Sequence, residues 1–120
     1  MDPFEVWGQP DVGRDVLFTT DFARAILMLM NAEAVQNEVV NVGSGRLCRV
    51  TDVVQCALQA AGHQPREIRY LSDKPISTRT RLLDCSRIQR LIGWQPLCSV
   101  ETGIRQTTDW WNNHKDTWIK

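Results

Sequence analysis

Between Asp73 and Pro96 the chain is punctuated so tightly that few local paths are open to it. Ile68 to Leu71 reads as a strand. Pro75 then fixes its own backbone and disfavours helix at Lys74, so Lys74 is expected where a strand gives way to a loop. Asp84 or Ser86 can cap a short helix in which Ile88, Leu91 and Ile92 recur at i, i+3 and i+4, and Gly93 ends it. That helix braces a loop that carries several cations.

A chain of 120 residues can bury roughly two-thirds of its unfolded surface, enough for one core without disulfides. Its elements alternate irregularly, which predicts a small α+β domain and argues against a doubly wound sheet. We expect about three helices and three to four short strands in a single domain over residues 1–120, with 112–120 a tail that can fray. Met1-Asp2-Pro3-Phe4-Glu5 lacks a basic and then apolar leader, and the run Ala25 to Met30 is far too short to span a bilayer. A cytoplasmic protein with no membrane contact is expected. Cys48, Cys56, Cys85 and Cys98 are spread singly and only His63 and His114 could join them, so neither a metal site nor a disulfide framework is indicated.

The formal net charge is zero, but it hides a gradient. Arg66 to Arg90 holds seven basic residues against three acids, whereas the residues before Arg66 hold four against eight. An anion site in the second half would fit, and on charge alone so would a solvated basic face neutralised by the acidic half. Nucleic-acid binding by this cluster lacks interleaved aromatics and a recognisable module, so no nucleic-acid partner is expected.

Glu5-Val6-Trp7-Gly8 is a strand-like approach to a glycine turn. Its Trp7 can pack at a core edge, and Arg14 can pair with Asp11 or Asp15. Thr19 or Thr20 can cap a helix whose Phe22, Ala25, Ile26, Leu29 and Met30 form one apolar stripe, read as core. Glu38 to Val42 is the strongest predicted strand of the chain, and Gly43-Ser44-Gly45 follows it. A phosphate loop is disfavoured there, because the third glycine is missing and the next helix starts only near Thr51; a structural corner is the better reading. Thr51 is expected to cap the second helix, Val54, Ala57, Leu58 and Ala61 stripe it, Gly62 stops it, and His63 is expected to serve its C-terminal end. The last helix starts at Ser99, with Val100, Ile104, Thr107, Thr108 and Trp111 on one face. Trp110 and Trp111, being adjacent, cannot both point inward.

Lys74-Pro75, the basic stretch that follows, Leu82-Leu83-Asp84-Cys85-Ser86 and Leu91-Ile92-Gly93-Trp94-Gln95-Pro96, together with Trp7-Gly8 and Arg14-Asp15, resemble the C-terminal substrate-binding portion of the extended short-chain dehydrogenase/reductases. These are the NAD(P)-dependent epimerases, dehydratases and reductases of nucleotide sugars, and the pattern looks most like the GDP-fucose synthase branch. The resemblance implies a lobe like their substrate-binding half, with Trp7, Arg14, Lys74 and Arg81 as contacts to a nucleoside-diphosphate sugar. Departures stand at Ile76-Ser77, where the family has Asp-Gly, and at Thr80, where its later Arg falls. No Gly-x-x-Gly-x-x-Gly opens a βαβ unit, so the cofactor platform for NAD(P) is missing and none is expected to bind this chain. Tyr70 and Lys74 satisfy the parent family's Tyr-x-x-x-Lys pattern, but that chemistry needs one helix face, and here a strand precedes a proline. No catalytic residue is therefore assigned. The implied partners are the sugar nucleotide and either a second copy of the chain or a separate Rossmann-domain chain, since a lobe without its neighbour exposes apolar surface.

Overall fold

The computed structural model of the protein describes residues 2–33, 35–75 and 78–118. In chain order the elements are β1 (Phe4–Trp7), β2 (Gly13–Asp15), α1 (Thr19–Met30), β3 (Leu47–Arg49), α2 (Val50–Ala60), β4 (Ile68–Leu71), β5 (Thr80–Arg81), α3 (Ser86–Ile92) and α4 (Val100–Trp118). Among the described residues the class is α+β, with four helices and five short strands. β1 pairs in parallel with β4, while β2 is the middle strand of a second sheet, antiparallel to β3 and parallel to β5. Among the described residues no helix is long and apolar enough to cross a membrane, and no group of three or more His, Cys, Asp or Glu is placed to hold a metal ion.

The core is small and is drawn from α1, α3 and the loop that follows α3. Ala25 of α1, Ile88 of α3 and Trp94 are buried together, with Leu17, Met28, Leu29, Val40, Val42, Cys85 and Ile92 packed around them. The short helix behaves as the sequence predicts: Ile88 is fully buried, and Gly93 closes α3 in the left-handed region at φ 65°. Ser99 caps α4, its Oγ accepting the Thr102 N–H at 3.2 Å. α2 and α4 pack on each other, and the N–H of His63 donates to the Leu58 carbonyl at 3.0 Å. The His63 ring itself lies near Phe4.

Three expectations are corrected. The caps at Thr19 or Thr20 and at Thr51 are not made: Phe18 and Arg49 occupy the N-cap positions in extended conformation without a side-chain bond. Glu38–Val42, the strongest predicted strand, forms no strand pairing among the described residues. β propensity reports fit to a pleated surface, and a strand exists only where a neighbour supplies the ladder. The α1 stripe is only partly core: Ala25 is buried and Leu29 half-buried, but Phe22, Ile26 and Met30 are exposed because nothing among the described residues lies over that flank. Residues 112–118, within the stretch expected as a tail, form the last turns of α4. All three tryptophans of α4, Trp110, Trp111 and Trp118, are exposed, with Trp110 stacking on His114 at 4.8 Å between ring centroids.

Candidate functional site

The predicted contact residues come together as two pairs, one in each sheet. The first is Trp7 with Lys74. β1 ends at Trp7 in register with Leu71 of β4, and the Lys74 N–H turns back to the Leu71 carbonyl at 3.2 Å, so Lys74 sits at the strand-to-loop transition its proline predicts. Its ammonium lies 5.6 Å from the centroid of the Trp7 ring, within cation–π range, and 3.8 Å from a carboxylate oxygen of Asp73. Trp7 is 75% exposed, so it does not pack at a core edge. Its indole face is offered to solvent.

The second pair is Arg14 with Arg81, which are partners in the parallel β2–β5 register and therefore share one face of the sheet. Arg14 pairs with neither Asp11 nor Asp15. Its Nη1 donates to the carbonyls of Gly13 at 2.8 Å and Thr78 at 3.0 Å, which anchors the guanidinium. Among the described residues its Nε and Nη2 donors have no protein partner, and that side of the fork is the one that can meet two oxygens at once. The bond to Thr78 also ties β2 to the loop that begins at Lys74. Ile76 and Ser77, the departures from the family pattern, lie outside the described residues. Arg79 is a neighbour the pattern undervalues: its carbonyl accepts the Gly13 N–H at 2.8 Å.

The first pair belongs to the β1–β4 sheet and the second to the β3–β2–β5 sheet. A cavity of about 560 Å³ begins one residue after Arg81, lined by Leu82 to Ser86, the Gly43–Arg46 turn, Gln89 and Trp94 to Pro96. Its glycine turn is already committed. One Asp15 oxygen accepts the N–H and the hydroxyl of Ser44, both at 2.6 Å, and the other accepts the N–H of Gly45 at 3.0 Å and of Leu83 at 3.3 Å. Burial alone would raise the Asp15 pKa, but the bonds from the Ser44 hydroxyl and then from the three N–H groups outweigh it and hold it below its ordinary value. The turn is thus a structural corner, its donors turned inward to a carboxylate where a phosphate loop would aim them out. Sequence reading missed this role of Asp15, which lies 29 residues from Ser44. A Cβ at Gly43 would stand 2.9 Å from both the Asp15 Oδ2 and a Leu83 methyl. Gly43→Ala is therefore expected to cost about 1–3 kcal/mol, read as a lower melting temperature; an unchanged melt would show that the corner can yield.

Tyr70 lies in β4 and Lys74 in the turn that follows. The pair does not share a helix face, and the Lys74 ammonium is engaged at Trp7.

No family model matches the chain. The dTDP-glucose 4,6-dehydratase of Xanthomonas campestris pv. campestris is 34% identical over 129 residues, covering 99% of this chain and 36% of that protein. Probable GDP-L-fucose synthase 1 of Oryza sativa subsp. japonica is 32% identical over 106 residues, covering 88% of this chain and 31% of that protein. Among solved structures, RMD from Pseudomonas aeruginosa complexed with NADPH superposes with a TM-score of 0.80 at 25% identity, over 92% of this chain and 35% of that one. An epimerase from Methanothermobacter thermautotrophicus reaches 0.87 over 97% and 34%, and at 19% identity it speaks for the fold alone. In sequence and in fold the chain is related to the C-terminal portion of the extended short-chain dehydrogenase/reductases, of whose length it spans about a third.

Proposed function

We propose that the surface of Trp7, Arg14, Lys74 and Arg81 binds a nucleoside-diphosphate sugar weakly, and that the chain by itself catalyses nothing. The carrying observation is the β2–β5 register, which sets Arg14 and Arg81 side by side where paired guanidinium donors can share a diphosphate. Trp7, with Lys74 poised at its ring, offers a platform on which a base can stack. The relationship to dTDP- and GDP-sugar enzymes supports this reading. The absence of catalysis is argued from Tyr70 and Lys74, whose strand-and-turn placement does not present a tyrosine and a lysine together. NAD(P) is not expected on this chain.

The test is titration with GDP-fucose, GDP-mannose, UDP-glucose and dTDP-glucose while following backbone amide shifts. A dissociation constant of the order of 1 mM, about −4 kcal/mol, is expected, with shifts at Arg14 and Lys74 and at least a tenfold loss in Arg14→Ala. No perturbation at either residue at about 10 mM ligand would remove the proposal.

A second reading, as an interaction module, rests on a different observation: Phe22, Ile26, Leu27 and Met30 of α1 and the nearby Val39 are exposed apolar side chains beside the core cluster. Surface of this kind marks a face that another polypeptide covers, whether a second copy or a separate Rossmann-domain chain. Light scattering of the chain from about 10 μM to 1 mM separates the first from a monomer that needs a different partner.

A further inference from the structure

α4 outruns the helix it packs on. It has 19 residues against the 11 of α2, and every residue from Asp109 to Trp118 is exposed. Asn112, Asn113, Asp116 and Thr117 are weak helix formers, and a helical end of this length without tertiary support is marginal in water. What this end carries is a ridge of rings. Trp110 stacks on His114 at 4.8 Å and meets Trp118 edge-on at 5.9 Å between centroids, so three aromatic side chains stand in line at i, i+4 and i+8. Beside the ridge lies a hollow. Trp111, one position on, walls an apolar cavity of about 540 Å³ whose other walls include Phe4, Ala57, Ala61 and His63. Ala57 and Ala61, one turn apart at the end of α2, are small enough to leave the floor low. On the α4 side Thr107 and Thr108 donate their hydroxyls to the Gly103 and Ile104 carbonyls at 2.8 and 2.9 Å.

We propose that this face binds a second copy of the chain: in a two-fold, antiparallel pair of α4 helices, the Trp110–His114–Trp118 ridge of each copy enters the Trp111 hollow of the other. The inference goes beyond the interaction-module reading, because it uses other residues than the α1 face and names the partner. Helices pack by seating i±4 ridges in grooves, and here one helix supplies both the ridge and the groove beside it. A two-fold axis uses both at once, since every contact then occurs twice. A single foreign segment would fill the hollow and leave the ridge bare. Trp111 and Trp118 are two turns apart, about 10 Å along the helix, so the two equivalent contacts merge into one patch. Charge does not oppose the pairing, for Asp109 to Trp118 holds two acids and one lysine. Area sets its strength. Trp110, Trp111 and Trp118 are 46%, 43% and 69% exposed, and at about 150–250 Å² for a whole aromatic side chain the rings of two copies would cover about 500–800 Å². That is short of the roughly 1,200 Å² of a standard stable interface, and it fits a weak, reversible dimer.

The whole chain is followed by sedimentation equilibrium from about 10 μM to 1 mM, where a monomer–dimer equilibrium with a dissociation constant on the order of 100 μM is expected. Trp118→Ala removes the end of the ridge, and Ala61→Lys sets a charge in the hollow. Each should weaken association about tenfold or more while leaving the thermal melt of the dilute chain unchanged, since both positions are exposed. Mixing the two variants in equal amounts should restore association in part, because the intact ridge of one still finds the intact hollow of the other; misfolded variants would show no such recovery. A chain that is monomeric at 1 mM overturns the proposal, and so does a dimer indifferent to both substitutions or a mixture that associates no better than its components. If Ile26→Lys disperses the dimer and Trp118→Ala does not, the contact lies on the α1 face. The module reading then stands and this one falls.

Discussion

Trp94→Ala is expected to lower stability by about 3–5 kcal/mol, a large share of the 5–15 kcal/mol that holds a domain of this size together, and to depress the melting temperature by something on the order of 10–20 °C. Trp94 is 2% exposed and is the largest buried side chain among the described residues. Ala25 and Ile88 complete the buried cluster, and a close-packed interior closes only in part over the space the indole would leave. The guanidinium of Arg24 lies 5.6 Å from the ring centroid, so truncation also removes a cation–π contact. Trp94→Phe should be far milder, about 1–2 kcal/mol. The indole Nε1 is buried without a hydrogen-bond partner among the described residues, and phenylalanine removes that unsatisfied donor while keeping most of the packing. Thermal melts of the two variants decide it. Equal losses would mean that the indole nitrogen is doing more than the geometry assigns to it.

Asp21→Ala should be comparably severe, about 3–5 kcal/mol, because it strips a buried anion from partners arranged around it. Asp21 is 3% exposed. Its carboxylate accepts the N–H of Leu97 at 3.0 Å and of Cys98 at 2.8 Å and holds Arg24 at 3.0 Å, while Arg24 donates onward to the Gln95 carbonyl. One side chain thereby fastens the start of α1 to the loop that leads into α4. Burial would raise its pKa, but the N–H bonds from Cys98 and Leu97, followed by Arg24, prevail and lower it. A carboxyl whose folded pKa lies below its unfolded value contributes stability that is complete above about pH 4. That contribution is lost as the pH falls through the folded value. Asp15 adds to the same window. The wild-type chain should therefore lose stability steeply below about pH 4, and Asp21→Asn should start lower and fall less. Melting curves from pH 7 to pH 2 show the difference; parallel curves for the two proteins would refute the assignment.

The place of Lys74 at the end of its strand and the short helix were legible for a local reason. Pro75 acts on its immediate neighbour, Gly93 on the turn before it, and the Ile88, Leu91 and Ile92 spacing on one helix face, so these features need no knowledge of the rest of the chain. The family relationship was legible too, because it resides in such short runs. Asp21 shows where that legibility stops. As a sequence feature it is only an acid in a first helical turn, favourable to the helix dipole. Its partners lie 76 and 77 residues away, and no spacing rule reaches so far.

By itself the sequence determined the local instructions: where helices stop, where Lys74 leaves its strand, and which residues carry the ancestry. Only the tertiary structure decided which instructions are carried out. It set Arg14 beside Arg81, turned the glycine corner inward onto Asp15 and left Glu38–Val42 without a ladder. A helix completes its hydrogen bonds within its own segment, so its sequence nearly suffices, whereas a strand and a charged cluster are completed by residues far along the chain or beyond it.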